Sequence, residues 1–338
     1  MTFFFGADAV ARKAAAIVPT ASPPGSESPE NASRPPEMKR MVSLLPAATE
    51  IAGALGLMEQ VVGVSHECDY PPTANDRPRV TSSPIHRGGL TSSEIDDWVR
   101  RALHEHGTLY TIDQPLLLQL RPDVILTQQL CDVCAVGYGT VARLAATLPG
   151  PPTVVSLEPS SLAEIFENIR QVAAACAVPE RADALLAGLI SRVEAVRQRT
   201  ASNAGQPRCF LMEWVDPPFC AGHWGPELVE IAGGIDVLGR KHQKSVQIAW
   251  DKVLAAQPEV IVLALCGYDV TRAARDLEIL RKNPGFDTLP AARTNRIHAV
   301  DANSYFSRPG PRIVDSLEQL AGILHPETFP EFRSEAQF

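Results

Sequence analysis

Residues 41–56 read MVSLLPAATEIAGALG, a short apolar run followed directly by a helical pattern. Pro46 near the first turn and Gly56 at the end follow the usual order of residues at helix termini. The same alternation continues along the chain. The candidate strands are Met41–Leu45, Val61–Ser65, Asp123–Thr127, Thr153–Ser156, Arg208–Glu213, Glu259–Leu263 and Arg296–Val300. Strands that alternate with helices favour an α/β fold, with parallel sheets covered by helices.

Two sequence motifs occur twice in the chain, in the same order. Pro-x-x-x-Glu-Ile-Ala-Gly is found at 46–53 and again at 226–233. The segment 120–125 (LRPDVI) is echoed by 256–261 (AQPEVI), and a cysteine follows each copy. These echoes indicate two related α/β lobes, with chance similarity between short apolar motifs as the alternative.

A long amphipathic segment separates the two copies. Between Glu180 and about Ala204, apolar residues fall at helical spacing along one face. They are Ala182, Leu185, Leu186, Leu189, Ile190, Val193 and Val196. About 25 helical residues span roughly 37 Å at 1.5 Å per residue, which suits a rigid connection between lobes. A crossover helix within one sheet is the alternative.

The chain length agrees with a two-lobed protein, because 338 residues exceed what one compact core needs. We therefore predict two Rossmann-like α/β lobes with parallel sheets, joined by a single long helix. The predicted divisions are a disordered extension at 1–40, a first lobe at 41–157, linker helices at 158–206, a second lobe at 207–325 and a tail at 326–338.

The composition excludes several classes of partner and activity. The formal net charge is −8, and no block of Lys or Arg is long enough to form a phosphate-binding stripe. Nucleic acids and anionic membrane surfaces are therefore not expected partners. No apolar run approaches the roughly 18 residues of a membrane span. The sequence also lacks Gly-x-Ser-x-Gly, P-loop and dinucleotide motifs, which argues against an enzyme.

The first 37 residues are rich in Pro, Ser and Glu, which is typical of a segment that packs no core. The pair Arg12–Lys13 follows an aromatic run, whereas a secretory signal begins with basic residues. We interpret the segment as a disordered extension or as sequence before a true start at Met38 or Met41, with a transit peptide as a further alternative. Seven cysteines without a signal peptide predict reduced thiols and a cytoplasmic protein, or a periplasmic one if the true N-terminus differs.

Four segments carry a more specific pattern than the rest of the chain: 43–50 (SLLPAATE), 62–72 (VGVSHECDYPP), 214–222 (WVDPPFCAG) and 305–312 (YFSRPGPR). Together they resemble the vitamin B12-binding proteins of bacterial ABC importers. The resemblance covers nearly all of both predicted lobes. It implies a non-catalytic solute-binding protein that holds its ligand in a cleft between the lobes, at the carboxyl ends of the strands. An ABC transporter permease is the partner that the resemblance implies.

The resemblance also implies a set of ligand-binding residues. Backbone N–H groups at the start of the first helix suit a ligand oxygen or anion, and aromatic side chains in the second lobe suit the flat walls of a planar ligand. An arginine matches the family's cleft arginine and suits a propionamide, carboxylate or phosphate. The candidates are Pro46, Ala47, Ala48, Thr49, Glu67, Trp214, Phe219, Trp224, Tyr268, Tyr305, Phe306 and Arg308. Packing in a lobe core is the alternative for the aromatic residues, and a surface salt bridge is the alternative for the arginine.

The chain departs from that family by carrying soft metal ligands where B12-binding proteins have other residues. His66-Glu67-Cys68 replaces an aromatic position, and the family's first-lobe tryptophan has no counterpart in 82–90. Residues two apart in an extended chain point the same way. Imidazole and thiolate suit Zn, Cu or Fe, or the metal of a chelate. The candidate metal ligands are His66, Cys68, Cys131, Cys134, Cys220 and His223, with buried structural thiols as the alternative for Cys134 and Cys220.

We therefore expect a binding protein for a cobamide, that is cobalamin or a related corrinoid, or for another metal chelate. A second hypothesis is a metal-binding protein that holds Zn, Fe or Cu through the His and Cys pairs. A third is an enzyme that uses a thiol pair or a metal-bound water.

Overall fold

A computed structural model describes residues 38–84, 89–106, 108–128, 138–203, 205–332 and 336–338. The described strands are β1 (Met41–Ser43), β2 (Val61–Val64), β3 (Thr81–Ser82), β4 (Thr111–Ile112), β5 (Val124–Thr127), β6 (Thr153–Ser156), β7 (Arg208–Trp214), β8 (Phe219–Cys220), β9 (Ile235–Asp236), β10 (Val246–Gln247), β11 (Val260–Leu263), β12 (Ile297–Ala299) and β13 (Ala336–Gln337).

The described α-helices are α1 (Pro46–Ala54), α2 (Ser92–His106), α3 (Gln114–Leu120), α4 (Tyr138–Ala145), α5 (Leu162–Ala175), α6 (Pro179–Thr200), α7 (Gly225–Ile231), α8 (Trp250–Ala256), α9 (Val270–Leu280), α10 (Pro290–Arg293) and α11 (Ile313–Leu324). None of them is long and apolar enough to cross a membrane.

The first sheet has the strand order β2-β1-β5-β6, and all its neighbouring strands are parallel. Alternate residues face opposite sides, as strand geometry requires. Met41 packs into a hydrophobic cluster with α1 and α5, whereas Val42 packs into a second cluster with α3 and α4. Both faces of the sheet are therefore covered, as in other parallel sheets. We call this sheet and its helices α1–α4 the first lobe.

The second sheet has the order β10-β8-β7-β11-β12-β13, and β9 pairs with β7. Its centre is parallel, with β11 between β7 and β12, while β8, β10 and β13 run antiparallel to their neighbours. We call this sheet and its helices α7–α11 the second lobe. The two separate sheets confirm the predicted α/β class, but the second sheet is mixed rather than purely parallel.

The segment 326–338 was expected to be a tail outside the second lobe, but its described residues pack into a hydrophobic cluster and extend the second sheet. Phe329 is fully buried in a hydrophobic cluster, and β13 extends the second sheet beyond β12. Its two short pieces of apolar sequence carry too little periodicity to be recognised without their partners.

The helix α6 connects the lobes and spans about 33 Å at 1.5 Å per residue. Ala182, Leu186, Leu189, Val193 and Val196 form its buried stripe. This stripe packs against α5 and α11 and belongs to a hydrophobic cluster that includes residues of both lobes. The helix predicted to begin at Glu180 begins at Pro179 in the structure. It ends at Thr200, before the predicted end near position 204.

Candidate ligand-binding site

A cavity of about 280 Å³ lies between the two lobes. Gln128 follows β5 of the first sheet, while Ala264 follows β11 of the second sheet, and both line the cavity. Carboxyl ends of parallel strands are where α/β sheets bind their ligands. The cavity is therefore the candidate binding site.

Aromatic and aliphatic side chains from both lobes form most of its wall. The second lobe contributes Trp214, Phe219, Trp224 and Phe306, and the first lobe contributes Ile95, Val99, Leu109 and Tyr110. A predominantly apolar lining with a few polar groups is typical of small-molecule sites.

The two indole N–H groups of this wall already have protein partners. Trp224 Nε1 donates to the carbonyl oxygen of Phe306 at 3.1 Å. Trp214 Nε1 donates to the carbonyl oxygen of Ser92 at 3.2 Å and to that of Asp216 at 3.1 Å. Because these donors are satisfied, the tryptophans offer a ligand apolar surface rather than hydrogen bonds.

Glu213 is the main polar group of the second-lobe wall, and the sequence analysis did not single it out. The pairing of β7 with β8 shifts register between Met212 and Trp214, so Glu213 lies at an irregularity of the strand. Such bulges re-aim a side chain. Its Oε1 accepts a hydrogen bond from the backbone N–H of Gly222 at 2.9 Å. Burial raises the pKa of the Glu213 carboxyl, although hydrogen bonds from Gly222 and Ser245 act in the opposite direction.

His223 also lines the cavity, and its ring stacks on Trp224 with centroids 5.7 Å apart. Its backbone is in the left-handed region, with φ of 49°, and its N–H donates to the carbonyl oxygen of Gln243 at 2.6 Å. Burial and the nearby Lys244 lower the pKa of the His223 imidazole. Both effects favour the neutral form of the ring.

The N-terminus of α1 lies outside the cavity lining. Ala47, Ala48 and Thr49 are buried, and Thr49 Oγ1 donates to Ser43 Oγ at 2.8 Å. A Cβ on Gly310 would lie 3.3 Å from the carbonyl oxygen of Ala47, so the second lobe packs closely against this helix start. That packing leaves the predicted anion site at 46–49 covered by protein.

Arg308 has protein partners in place of the predicted ligand. Its Nη1 donates to Glu50 Oε1 at 3.1 Å, and Nη1 and Nη2 donate to the two carboxylate oxygens of Asp69 at 2.5 and 3.1 Å. Arg312 donates to Glu50 from Nε at 2.9 Å and from Nη2 at 2.5 Å. We expected Arg308 to pair with a ligand. In the structure its guanidinium group is instead bound by two carboxylates of the first lobe. We call these four residues the ionic contact.

The other predicted ligand-binding residues are not among those that line the cavity. Tyr305 is partly buried and packs against the cluster shared by both lobes. Tyr268 is buried beside Trp214, with ring centroids 5.1 Å apart. Glu67 is half-buried, and its backbone N–H donates to Ser65 Oγ at 3.1 Å.

Among the described residues, the structure does not bring the predicted metal ligands together in a group of three. Cys68 and Cys220 are buried in two different hydrophobic clusters, where burial raises the pKa of each thiol. His66 Nδ1 lies 2.8 Å from Thr81 Oγ1 and is not part of the cavity lining. Cys131 and Cys134 lie outside the described residues. Within the described ranges, no group of three or more His, Cys, Asp or Glu side chains could hold a metal ion.

Comparison with known proteins identifies the class. The model of the family described as periplasmic binding protein matches residues 41–303, which is most of the chain. The chain belongs to this family. Its expected role as a non-catalytic binding protein is thereby confirmed.

Three relatives refine this assignment. A vitamin B12-binding protein of Vibrio cholerae is 26% identical over 309 residues, which cover 88% of this chain and 92% of the relative. A crystal structure of a periplasmic vitamin B12-binding protein of V. cholerae superposes with a TM-score of 0.61 at 25% identity, over 85% of this chain and 96% of that one. An uncharacterised ABC transporter substrate-binding lipoprotein of Bacillus subtilis is 22% identical over 87% of this chain and 82% of its own length.

A second solved structure, a periplasmic heme-binding protein of Pseudomonas aeruginosa, shares the fold. Its TM-score is 0.64 at 20% identity, with 88% of this chain and 95% of that chain covered. These relatives are described as periplasmic proteins or as a lipoprotein. They give no support to the cytoplasmic location that the sequence analysis expected.

Proposed function

We propose that the protein binds a cobamide, a vitamin B12-like corrinoid, in the cavity between its lobes and delivers it to an ABC transporter permease. The observation that carries this proposal is the apolar, aromatic wall at the carboxyl ends of the strands. A corrin ring is flat and largely apolar on its faces, and such rings bind against aromatic side chains. The resemblance to vitamin B12-binding proteins supports the same ligand class.

The volume of the cavity is small for a ligand as large as a corrinoid. Sites for drug-sized ligands commonly enclose about 300 to 1,000 Å³. A cavity of about 280 Å³ is at the lower limit, and a corrinoid is larger than most drugs. The lobes therefore have to separate when a corrinoid binds, most simply by movement of α2, which contributes Ile95 and Val99 to the wall.

Haem is the competing chelate, because haem-binding proteins share this fold. A bare-metal function has less support, since the described His and Cys side chains form no cluster of three. Delivery to a permease, and a site of action outside the cytoplasmic membrane, follow by analogy with the relatives.

Equilibrium titration with cyanocobalamin and with haemin tests the proposal, with quenching of Trp214 and Trp224 fluorescence as the readout. We expect saturable binding of cyanocobalamin and about tenfold weaker binding after Phe219→Ala, because the substitution removes part of the aromatic wall. Phe338→Ala, at the edge of the second sheet, is the matched control and should bind normally. A flat cyanocobalamin titration alongside saturable haemin binding would reject the cobamide.

A further inference from the structure

We infer that Glu213 forms hydrogen bonds with amide groups of the ligand. The site thereby selects an uncharged, amide-bearing ligand over one that carries carboxylates. This inference rests on the proposed function and names the ligand class within it. Corrinoids carry primary amides around the ring, whereas haem carries two propionates. The two chelates therefore differ in the property that the site discriminates.

The charges of the lining carry the first part of the inference. Among the lining residues that the structure describes, the acidic side chains are Asp96 and Glu213, and none is Lys or Arg. Asp96 is paired with Arg100 at 2.6 Å. Arg308, the guanidinium that the sequence offered for an anion, is held by Glu50 and Asp69. A ligand carboxylate would therefore find no cationic partner among the described lining residues, and burying an unpaired charge is costly.

The position of Glu213 is fixed before any ligand binds. Gly222 donates to its Oε1, and the N–H of Cys266 donates to its backbone carbonyl at 3.1 Å. A Cβ on Gly222 would overlap the backbone of Gln243 and Ser245, so only glycine allows this loop to approach. A rigidly held carboxyl group gives selectivity because it cannot turn away from a ligand that fails to complement it.

The chemistry of a partly desolvated carboxyl group matches an amide. Ionised, Glu213 accepts hydrogen bonds from amide N–H groups, and protonated, it also donates one to an amide oxygen. Burial favours the protonated form. In either state an amide is complementary, whereas a ligand carboxylate meets a like charge when Glu213 is ionised and buries its own charge against a neutral group when Glu213 is protonated. A site built around one polar partner rejects the analogue that lacks it.

The experiment compares ligands that differ only in one amide. Cyanocobalamin and its separated monocarboxylic acids, in which one side-chain amide is hydrolysed, are titrated against the wild type, Glu213→Gln and Glu230→Gln. Glu230 is exposed on α7 and pairs with Lys241, so its substitution is the matched control. The isosteric glutamine keeps an oxygen for the Gly222 hydrogen bond, and a thermal unfolding midpoint within a few degrees of wild type checks the fold.

We expect the wild type to bind at least one monocarboxylic acid about tenfold more weakly than the intact amide, the size of effect of one hydrogen bond to a charged group. Glu213→Gln should reduce that ratio to below about threefold, and Glu230→Gln should leave it unchanged. Equal binding of all these corrinoids by the wild type, or an undiminished ratio in Glu213→Gln, would overturn the role of Glu213.

A second ligand pair separates this inference from the proposed function. If cyanocobalamin does not bind, the cobamide proposal fails, and haemin is then compared with its uncharged dimethyl ester. Tighter binding of the ester would sustain the selection against carboxylates on a different ring. Tighter or equal binding of haemin, or no binding of either form, would overturn it.

Discussion

The two lobes meet at two places with opposite chemistry. At the ionic contact, Glu50 and Asp69 of the first lobe bind Arg308 and Arg312 of the second lobe, and Glu50 and Arg308 have only 1% and 6% of their side chains exposed. At the other place, α2 of the first lobe packs on the second lobe through Ile95, which joins the hydrophobic cluster of that lobe. The first contact is made of charged groups around the buried pair of Glu50 and Arg308, with Asp69 half exposed, and the second is made mainly of apolar surface.

A few polar contacts accompany the apolar surface of α2. Ser92 Oγ hydrogen-bonds to Asp276, and Arg100 Nη2 donates to Gln247 Oε1 at 3.2 Å. Arg100 is exposed, so its hydrogen bond contributes little. Apolar contacts are non-directional, whereas separating a buried ion pair leaves uncompensated charge, which is strongly destabilising. We therefore expect the cavity between the lobes to widen more readily at α2 than at the ionic contact.

The largest effect is expected from Glu50→Gln. The substitution leaves the buried Arg308 and Arg312 with Asp69 as their remaining carboxylate in the contact, and unpaired buried charge is strongly destabilising. We expect a loss of about 3 kcal/mol in the free energy of unfolding, measured with urea. Asp276→Asn changes a buried carboxylate of the α2 contact to its amide and should cost about 1 kcal/mol. Equal costs for the two variants would remove the distinction between the contacts.

A smaller effect is expected when the apolar contact is weakened. Ile95 is 4% exposed, so Ile95→Ala removes buried methyl groups between the lobes. We expect the free energy of unfolding to fall by about 2 kcal/mol. Leu118→Ala, at a leucine that is 48% exposed on α3, is the control and should cost less than about 0.5 kcal/mol. An Ile95→Ala cost as small as that of the control would show that α2 does not anchor the lobes.

The smallest expected effect is a loss of folding stability in acid. It arises in the core of the second lobe rather than at either contact between the lobes. His298 on β12 is buried, neither ring nitrogen has a hydrogen-bond partner, and burial and Arg296 lower its pKa to about 4. The unfolded chain binds this proton near pH 6.5 and the folded chain only near pH 4, so stability is complete above pH 6.5 and is lost as the pH falls through this window. We expect a loss of about 1 kcal/mol between pH 7 and 5.5.

Urea unfolding at both pH values measures this loss in the wild type and in His298→Leu, which has no proton to bind at this position. The variant should show a flatter pH dependence. The same pH dependence in both proteins would assign the acid sensitivity to other groups, including those of the ionic contact.

Much of the fold could be predicted from sequence because its signals are local. The strand Thr153–Ser156 was predicted with its observed bounds, and the start of α6 within one residue. Apolar periodicity and helix-end residues act over a few positions, so one segment contains the whole signal. The resemblance to binding proteins then supplied the cleft between the lobes.

The site was harder to predict because its determinants are distant in sequence. Arg308 lies 258 residues from Glu50 and 239 from Asp69, so its pairing has no local signature. Cys68 and His66 were expected to point the same way, as in a strand, but β2 ends at Val64 and a turn follows.

Glu213 was missed for a similar reason. Its exposure to the cavity depends on the register shift between β7 and β8, which involves a partner strand rather than the residue itself. Five of the predicted site residues do line the cavity, because chain segments at the ends of strands run along it. They are Trp214, Phe219, Trp224, Phe306 and His223. Sequence therefore locates the loops of such a site better than the single polar residue within them.

The buried stripe of α6 has a consequence for how the molecule unfolds. One hydrophobic cluster contains the stripe together with residues such as Ile51 of the first lobe and Leu317 of the second. Separating the lobes would expose this surface on both halves at once, in addition to the clusters that lie mainly within one lobe. We therefore expect the two lobes to unfold as one cooperative unit, and a gene fragment that encodes either lobe without α6 to give a less stable domain.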